Sequence, residues 1–598
     1  MILQALYNYY QRKAADPESG IAPEGWEWKT IPFLVVIANN GKYLRLNDTR
    51  EIEGKKKIPK AYLVPRGIGR AGKDACETAQ LFWDHYGYVL GLPKNDTDKD
   101  KKMAEKQLAS FIRKIEGLPN EVKKISAVDA VLKFYKHKEY NNISIRDVQE
   151  CLKIAGCNMT FYVEGCDCLV TEEPSVRKYV NSLIEDKANI DRNIEESDKS
   201  AYEAVCLITG EKGLIQRKHA RTSINKDTKS FVAIQKSSGY DSYGKQQAFN
   251  CPVGVSAEFA YTTALNALLK KKENRIQIAD TTIIFWSQKK DKTFDLESNF
   301  AWFFKSEKDN PDRNIQAVKG LYEALYSSKM PLDENNRFYV LGLAPNAARI
   351  AVRFWKTGTI REFAEKIRQH FEDFAIVHGP KDPEHLSLYQ ILTSTVLNYK
   401  MDNVPPNLAG AVIVSILDGF PYPQTLLHQC VRRIRAEQQV TRARAAILKA
   451  CINRFNRFYN KSEKEVLMSL DKSNTNAAYR LGRLFAVLEK IQEEAAPGIN
   501  ATIRERFYGA ASSTPVTVFP RLLKLKNHHL AKLNPGRKIN FEKEIGEICD
   551  ELKDTFPGHL TLDAQARFAV GYYHQRQDFF KKKGEKNSNI NEAIEEDL

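Results

Sequence analysis

The chain has 598 residues, and 91 Lys and Arg against 75 Asp and Glu give a formal net charge of +16. Hydrophobic residues make up 42%, which excludes wholesale disorder, and about 150 residues per domain predicts three or four compact units. No run of about 20 apolar residues and no basic-then-apolar leader occurs, so we expect a cytoplasmic protein that does not span a membrane, with an acidic partner such as nucleic acid.

The first half of the sequence predicts short strands separated by helices. The strand candidates are runs rich in β-branched and aromatic residues, and they lie at 31–38, 61–64, 204–209, 281–286 and 338–343. Residues 257–271 predict a helix, because Tyr261, Leu265, Leu268 and Leu269 fall on one face. The charged run 95–102 predicts an exposed loop, and the polar stretch 186–200 predicts a segment that joins two subdomains.

Strand signals fade after about residue 375, and helical periodicity takes over. We expect helices at 426–459 (one or two), 479–495, 522–533, 541–556 and 563–580. The predicted fold class is therefore α+β, with a mixed N-terminal α/β body of short sheets followed by a C-terminal all-α helical bundle. We place domains at 1–200, 201–375, 376–467 and 468–598, the third being a helical linker with a basic face.

A glycine-rich loop lies at 66–74, with the sequence RGIGRAGKD. It satisfies both G-x-G-x-x-G and G-x-x-x-x-G-K, so a nucleotide-binding enzyme is one interpretation. Asp74 opposes that interpretation, because a phosphate-binding loop needs Ser or Thr there to hold magnesium. The other two interpretations are a solvated glycine turn and a basic loop that presents Arg66, Arg70 and Lys73 to nucleic-acid phosphates.

Two further stretches are strongly basic. In the first, at 217–245, basic residues alternate with aromatic and glycine residues, and the candidate contacts are Lys218, Arg221, Lys236, Tyr243 and Lys245. The second, at 432–457, predicts a helix with one buried face and one strongly positive face, with candidates Arg432, Arg433, Arg435, Arg442 and Arg444. The alternative for each stretch is a solvated surface.

Metal binding and catalysis have little support in the sequence. The densest cysteine group is Cys151, Cys157, Cys166 and Cys168, whose spacings do not match paired zinc knuckles, so reduced core thiols are favoured over zinc. No H-E-x-x-H, G-x-S-x-G or deaminase motif occurs. We therefore predict no catalytic residue, no cofactor and no metal.

Nine longer strings resemble one family, the large subunit of the type I-C CRISPR effector (Cascade) complex, and they occur in the family's order from end to end. They are MILQALY at 1–7, CLITGE at 206–211, SYGKQQ at 242–247, AYTTALN at 260–266, DTTIIFW at 280–286, LGLAPNAAR at 341–349, LGRLF at 481–485, AASSTP at 510–515 and GYYHQ at 571–575.

The resemblance implies a DNA-binding subunit with no chemistry of its own, acting in antiviral defence. Its implied partners are subunits that carry and process the crRNA, a small subunit, target double-stranded DNA and a helicase–nuclease recruited in trans. The guide RNA would read the target while this subunit reads the short flanking PAM through its N-terminal part, aids strand opening and stabilises the R-loop. The resemblance also implies that the C-terminal helical part can be made separately from an internal start, for which Met468 is a candidate. The alternative is a phosphate- or nucleotide-binding enzyme built on residues 67–73.

Overall fold

The computed structural model describes residues 1–16, 19–53, 56–67, 70, 76–154, 156–193, 202–224, 227–235, 243–278, 280–289, 295–304, 312–326, 336–346, 349–550, 552 and 555–580. Two compact units account for the chain. Unit 1 comprises Met1–Thr222 and Thr228–Ala267, and unit 2 comprises Ser223–Asp227 and Leu268–Leu598. None of the helices in the described residues combines the length and apolarity needed to cross a lipid bilayer. The predicted boundaries at residues 200, 375 and 467 stay predictions.

The chain up to residue 270 alternates helices with short strands. The helices are α1 (Ile2–Ala14), α2 (Tyr86–Val89), α3 (Asp98–Glu116), α4 (Asn120–Lys123), α5 (Ser126–Lys136), α6 (Ile145–Leu152), α7 (Pro174–Asn193) and α8 (Val255–Lys270). The strands are β1 (Trp26–Thr30), β2 (Phe33–Ile37), β3 (Tyr43–Asp48), β4 (Arg50–Glu53), β5 (Lys56–Pro59), β6 (Ala61–Pro65), β7 (Trp83–His85), β8 (Asn158–Val163), β9 (Glu203–Val205), β10 (Lys212–Leu214), β11 (Arg221–Ile224) and β12 (Asp227–Ser230).

The largest sheet of unit 1 has the strand order β3-β2-β8-β7, with β2 and β8 parallel and the outer pairs antiparallel. All five residues of β2 are buried, as expected for a continuous apolar run in the middle of a sheet covered on both faces. Phe134 of α5 packs against Phe161 of β8 in this core. The remaining strands pair two by two, as β1 with β6, β4 with β5, β9 with β10, and β11 with β12.

The loop predicted at 95–102 is only half correct, because α3 begins inside it. The Thr97 hydroxyl accepts a hydrogen bond from the Asp100 N–H at 3.2 Å and so caps the helix. Asp98 and Asp100 lie in the first turn, where negative charge stabilises a helix. The charged run is thus a helix start. Similarly, residues 186–193 of the predicted joining segment belong to α7, which ends at Asn193. Residues 194–200 lie outside the described residues.

Unit 2 opens with an antiparallel meander and continues as helices. The strands are β13 (Arg275–Ile278), β14 (Thr281–Ser287), β15 (Arg337–Asn346) and β16 (Arg349–Thr359), in that order across the sheet. The helices are α9 (Leu296–Phe304), α10 (Asp312–Tyr326), α11 (Ile360–Phe374), α12 (Leu388–Thr393), α13 (Leu408–Asp418), α14 (Gln424–Glu437), α15 (Arg442–Phe458), α16 (Ala477–Ala495), α17 (Ile503–Ala511), α18 (Pro515–Leu530), α19 (Pro535–Cys549) and α20 (Leu562–Asp578). Short 3₁₀ helices occur at Glu139–Asn142, Gln247–Asn250, Leu397–Tyr399 and Met401–Asn403.

The two central helices of the C-terminal bundle, α16 and α20, approach so closely that their backbones touch. A Cβ added to Gly482 would clash with the backbone of Phe568, and one added to Gly571 would clash with the backbone of Tyr479. Glycine is required at both positions for this reason. The predicted α+β class, with short sheets before a helical bundle, is confirmed.

Candidate nucleic-acid interface

The base of the glycine-rich loop is held by carboxylates inside unit 1. Arg66 Nη2 donates to Glu258 Oε2 at 3.0 Å, and its guanidinium lies 4.8 Å from the centre of the Phe259 ring. The Gly67 N–H donates to Glu27 Oε1 at 2.9 Å. The backbone N–H that would face a phosphate at this glycine is therefore already used.

Arg70 is bound in the same manner further along the loop. Its guanidinium forms a two-point ion pair with Asp84, which is 3% exposed, and Nε donates to the Thr78 carbonyl at 2.5 Å. The guanidinium also stacks 4.0 Å above the Tyr88 ring. A phosphate that bound Arg70 would have to compete with a buried carboxylate. Lys73, the third predicted contact, lies outside the described residues.

Glu258 of α8 connects the glycine-rich loop to the first basic stretch. Its side chain is fully buried, and besides binding Arg66 it accepts the Ala220 N–H at 2.7 Å. The neighbouring His219 is buried and shares a hydrogen bond with the Tyr261 hydroxyl on the same helix. Burial lowers the pKa of His219, so the imidazole is neutral at physiological pH. Glu258 and Tyr261 of α8 thus hold this stretch in place, and Lys218 and Arg221, on either side of His219, are exposed to solvent.

The end of the first basic stretch carries an exposed tyrosine. Tyr243 is 98% exposed and has a positive φ of 51°, next to Gly244 at 71°. Lys245 is half-buried, with Nζ 5.6 Å from the centre of the Tyr202 ring. An exposed tyrosine beside cations suits base stacking and phosphate contact. Lys236 lies outside the described residues.

The second basic stretch forms two helices, α14 and α15, which we call the arginine-rich pair. The chain breaks between them because Gln438 adopts a left-handed conformation and the Thr441 hydroxyl caps α15. Arg432 and Arg435 are exposed. Arg433 lies 3.4 Å from Glu437.

The predicted strongly positive face is wrong for α15, because Arg444, Lys449 and Arg454 are buried inside unit 2, whereas Arg432 and Arg435 of α14 are exposed as predicted. Arg444 is fully buried and pairs with Glu437. Arg454 Nε lies 2.6 Å from Asp373 Oδ2, and Lys449 Nζ donates to the Asp373 carbonyl at 2.9 Å. Arg442 donates to the backbone carbonyls of residues 383 and 384, and burial lowers its pKa. These side chains hold helices together.

The sequence analysis missed a second basic surface at 506–541, which we call the acid-free segment. It contains seven Lys and Arg and two His but no Asp or Glu. It covers most of α17, all of α18 and the first half of α19, and its exposed cations include Arg506, Arg521, Lys524, Lys532 and Lys538. Arg537 alone among its cations is recorded in an ion pair among the described residues, with Glu494 at 2.6 Å. The absence of acids was the signal that could have revealed it.

All ten cysteines are free, and six of them, including Cys151 and Cys157, are buried, whereas Cys166 and Cys168 are partly exposed. Within the part of the chain that the structure describes, no three His, Cys, Asp or Glu side chains converge to hold a metal ion. The buried thiols of Cys151 and Cys157 share a hydrogen bond, which together with burial raises the pKa of Cys151.

Comparison with known proteins places the chain in a family. The sequence model of the family described as CRISPR-associated protein (Cas_Csd1) matches residues 6–580, nearly the whole chain. No curated protein matches it. At the level of CRISPR-associated proteins, the resemblance seen in the sequence is confirmed. The chain therefore belongs to the Cas_Csd1 family of CRISPR-associated proteins.

Proposed function

We propose that this chain is the DNA-binding large subunit of a type I-C RNA-guided interference complex. The observation that carries the proposal is the family match across residues 6–580. In this role the subunit reads the PAM in duplex DNA, aids strand opening, holds the displaced strand and presents a docking surface to a helicase–nuclease. Its partners are the crRNA-bearing and crRNA-processing subunits, a small subunit and target DNA.

The cations of the first basic stretch, of which Lys218 and Arg221 are exposed and Lys245 is half-buried, support the duplex-binding part of the proposal. This stretch is held in place by hydrogen bonds with Glu258 and Tyr261 of α8, and it carries the positive charges of Lys218, Arg221 and Lys245. Each cation that neutralises a phosphate releases a counterion, so binding weakens as salt rises. Arg66 is linked to this surface through Glu258, and Arg70 is bound to the buried Asp84, so we assign a phosphate to neither of them.

The acid-free segment supports a nucleic-acid contact in the C-terminal bundle. Exposed cations in a segment that contains no acid fit a displaced strand, which offers a phosphate at every nucleotide. The bundle begins just after Met468, whose carbonyl accepts the Val377 N–H at 2.9 Å. We propose that a product starting near Met468 serves as the small subunit.

A nucleotide-binding enzyme built on residues 67–73 has less support. In the described part of that loop, the Gly67 N–H and both arginines have protein partners. Moreover, three of those partners are carboxylates, which repel phosphate.

The test is co-expression with the neighbouring operon genes and a CRISPR array, followed by purification through a tag on this chain. We expect a ribonucleoprotein that contains crRNA, binds PAM-flanked duplex and includes a C-terminal fragment starting near Met468. A lone protein without RNA would overturn the assembly role. A ribonucleoprotein without the fragment would overturn only the small-subunit part.

A matched pair of variants locates the duplex contact. In the complex, Lys218→Ala, Arg221→Ala and Lys245→Ala together should lower the slope of log affinity against log salt by about 2 to 3, since each phosphate contact contributes about 0.9. The control replaces three exposed lysines of α3, Lys99, Lys102 and Lys106, by alanine and should leave the slope unchanged. Equal losses in both variants would mean that overall charge is responsible and would remove the site.

A further inference from the structure

The strand predicted at 204–209 ends early, because the chain turns sharply at Cys206. β9 stops at Val205, and residues 206–210 form the turn that leads into β10. The Gly210 N–H donates to the Cys206 carbonyl at 2.9 Å, and Gly210 has a φ of 76°, which favours glycine. The Ile208 N–H lies 3.4 Å from Cys206 Sγ. Short β-hairpins with a cysteine so placed carry the ligands of structural zinc sites.

A second cysteine turn, Cys251 to Gly254, lies against the first and leads directly into α8. The Leu207 N–H donates to the Pro252 carbonyl at 2.9 Å, and the Gly254 N–H donates to Cys206 Sγ at 3.2 Å. A bridge between Ile215 and Gly254 continues the pairing. These backbone and sulfur hydrogen bonds hold the two turns together next to the Cys206 sulfur.

The spacing of the two turns matches a four-ligand zinc site with two ligands replaced. Structural zinc is held by C-x2-C pairs on two such turns. Here the first pair of positions holds Cys206 and Thr209, and the second pair holds Cys251 and Gly254.

The two positions without cysteine face the Cys206 sulfur. The Thr209 hydroxyl forms a hydrogen bond with Cys206 Sγ. A Cβ added at Gly254 would lie 3.7 Å from that sulfur, at ordinary contact distance and without a strained φ. The Cys206 sulfur thus accepts hydrogen bonds from the N–H groups of Gly254 and Ile208 and from Thr209.

We infer that positions 206, 209, 251 and 254 form a zinc-knuckle scaffold with two of its four thiol ligands present, in which hydrogen bonds to the Cys206 sulfur replace metal–ligand bonds. The scaffold lies at the foot of α8, the helix that carries Glu258 and Tyr261. It therefore fixes the start of the helix that anchors the glycine-rich loop and the first basic stretch. Thr209→Cys with Gly254→Cys completes a tetrahedral four-thiolate site for zinc. This inference does not depend on the proposed function.

The experiment titrates the full chain, reduced, with Co²⁺ as an optical probe for zinc. Thr209→Cys/Gly254→Cys should bind one Co²⁺ per chain with the visible absorption of a tetrahedral thiolate complex. The unsubstituted chain should bind more than about 100-fold more weakly, since even losing an outer partner of a metal ligand costs about 10- to 100-fold. The control, Leu207→Cys/Ser256→Cys, adds the same number of thiols at exposed positions outside the scaffold. A control that binds as tightly as the designed variant would overturn the inference.

Two more variants keep the result decisive. Thr209→Cys alone adds a third thiol with little change in size and should give a weaker cobalt band, which keeps the test open if the double variant misfolds. Adding Cys251→Ser to Thr209→Cys/Gly254→Cys should abolish most of the absorption. An unchanged band after that substitution would show that Cys251 is not a ligand and would refute the four-position scaffold.

Discussion

The arginine-rich pair and the acid-free segment, both in unit 2, use their basic residues in opposite ways. The pair is the denser in positive charge, yet Arg444 and Arg454 are buried and bound to carboxylates. The acid-free segment is less dense, yet cations such as Arg521 and Lys524 remain exposed. The number of basic residues in a stretch of sequence therefore does not predict how many of them are exposed on the surface.

The difference lies in where the acids are. Asp373, on α11, binds Arg454 across a sequence separation of 81 residues, so no local window shows the pairing. The arginine-rich pair packs against α11, whose acids can neutralise its charges. In contrast, the acid-free segment contains no carboxylate, and among the described residues Arg537 is its only cation that forms an ion pair. Basic residues form a positively charged surface where the fold places no carboxylate next to them.

The largest effect should come from removing the acid beneath the arginine-rich pair. Asp373→Asn keeps the size of the side chain but leaves the buried Arg454 charge without a carboxylate, which should lower the free energy of unfolding of unit 2 by about 3–5 kcal/mol. Urea unfolding measures this. The control is Glu465→Gln, which removes the half-exposed partner of Arg457 and should cost about 0–1 kcal/mol. Similar losses in the two variants would contradict the structural role of the buried pair.

A smaller effect, on binding alone, is expected in the acid-free segment. Arg521→Ala, Lys524→Ala and Lys532→Ala together should lower the salt slope for single-stranded DNA by about 2, at about 0.7 for each contact. Stability should change by no more than about 0.5 kcal/mol per exposed substitution. Filter binding at several salt concentrations and urea unfolding give the two readouts. Lost stability with unaltered binding would reverse the roles assigned to the two stretches.

The third expected effect is a pH dependence of stability that comes from His370 of α11. His370 is buried, shares a hydrogen bond with the Tyr422 hydroxyl at 2.8 Å, and has a pKa well below its ordinary value because of burial and then the Arg454 charge. In the unfolded chain it takes up a proton near about pH 6.5, so the unfolded state gains protons first and unit 2 loses stability as pH falls below that value.

The expected slope is about 1.4 kcal/mol per pH unit for His370. The pKa of the nearby His385 is also lowered by burial and adds to the slope. His370→Gln should remove the His370 share when urea unfolding at about pH 5 and about pH 7 is compared. A slope that persists in full would assign it to other groups.

How much the sequence predicts depends on whether the determining contacts are local. The strands β2, β14 and β15 were predicted because β-branched and aromatic residues are continuous there. The start of α3 was missed although its signal is local, since the cap at Thr97 lies inside a run that looks like a loop. The turn at Cys206 was missed because the partner that fixes it, Gly254, is 48 residues away.

For the candidate site, the sequence identified the basic stretches but not which side chains face solvent. Lys218, Arg221 and Tyr243 are exposed as an interface requires. Arg66, Arg70 and Arg444 are bound to Glu258, Asp84 and Glu437. The first pair joins residues 192 positions apart, and the other two pairs cross loops and join residues 14 and 7 positions apart. Lys73 and Lys236 lie outside the described residues, so their contacts stay predictions.

The glycine contact between α16 and α20 also sets an order of events on the ribosome. The Tyr572 hydroxyl of α20 donates a hydrogen bond to the Glu489 carboxylate of α16, 83 residues earlier in the chain. At about 5–20 residues per second, the ribosome takes about 4–17 s to synthesise that interval. Throughout that interval the apolar face of α16, including Leu484 and Phe485, has been made but lacks the helix that covers it. The nascent bundle is therefore most vulnerable to aggregation just before α20 is complete, and a chaperone that binds apolar segments would act in that window.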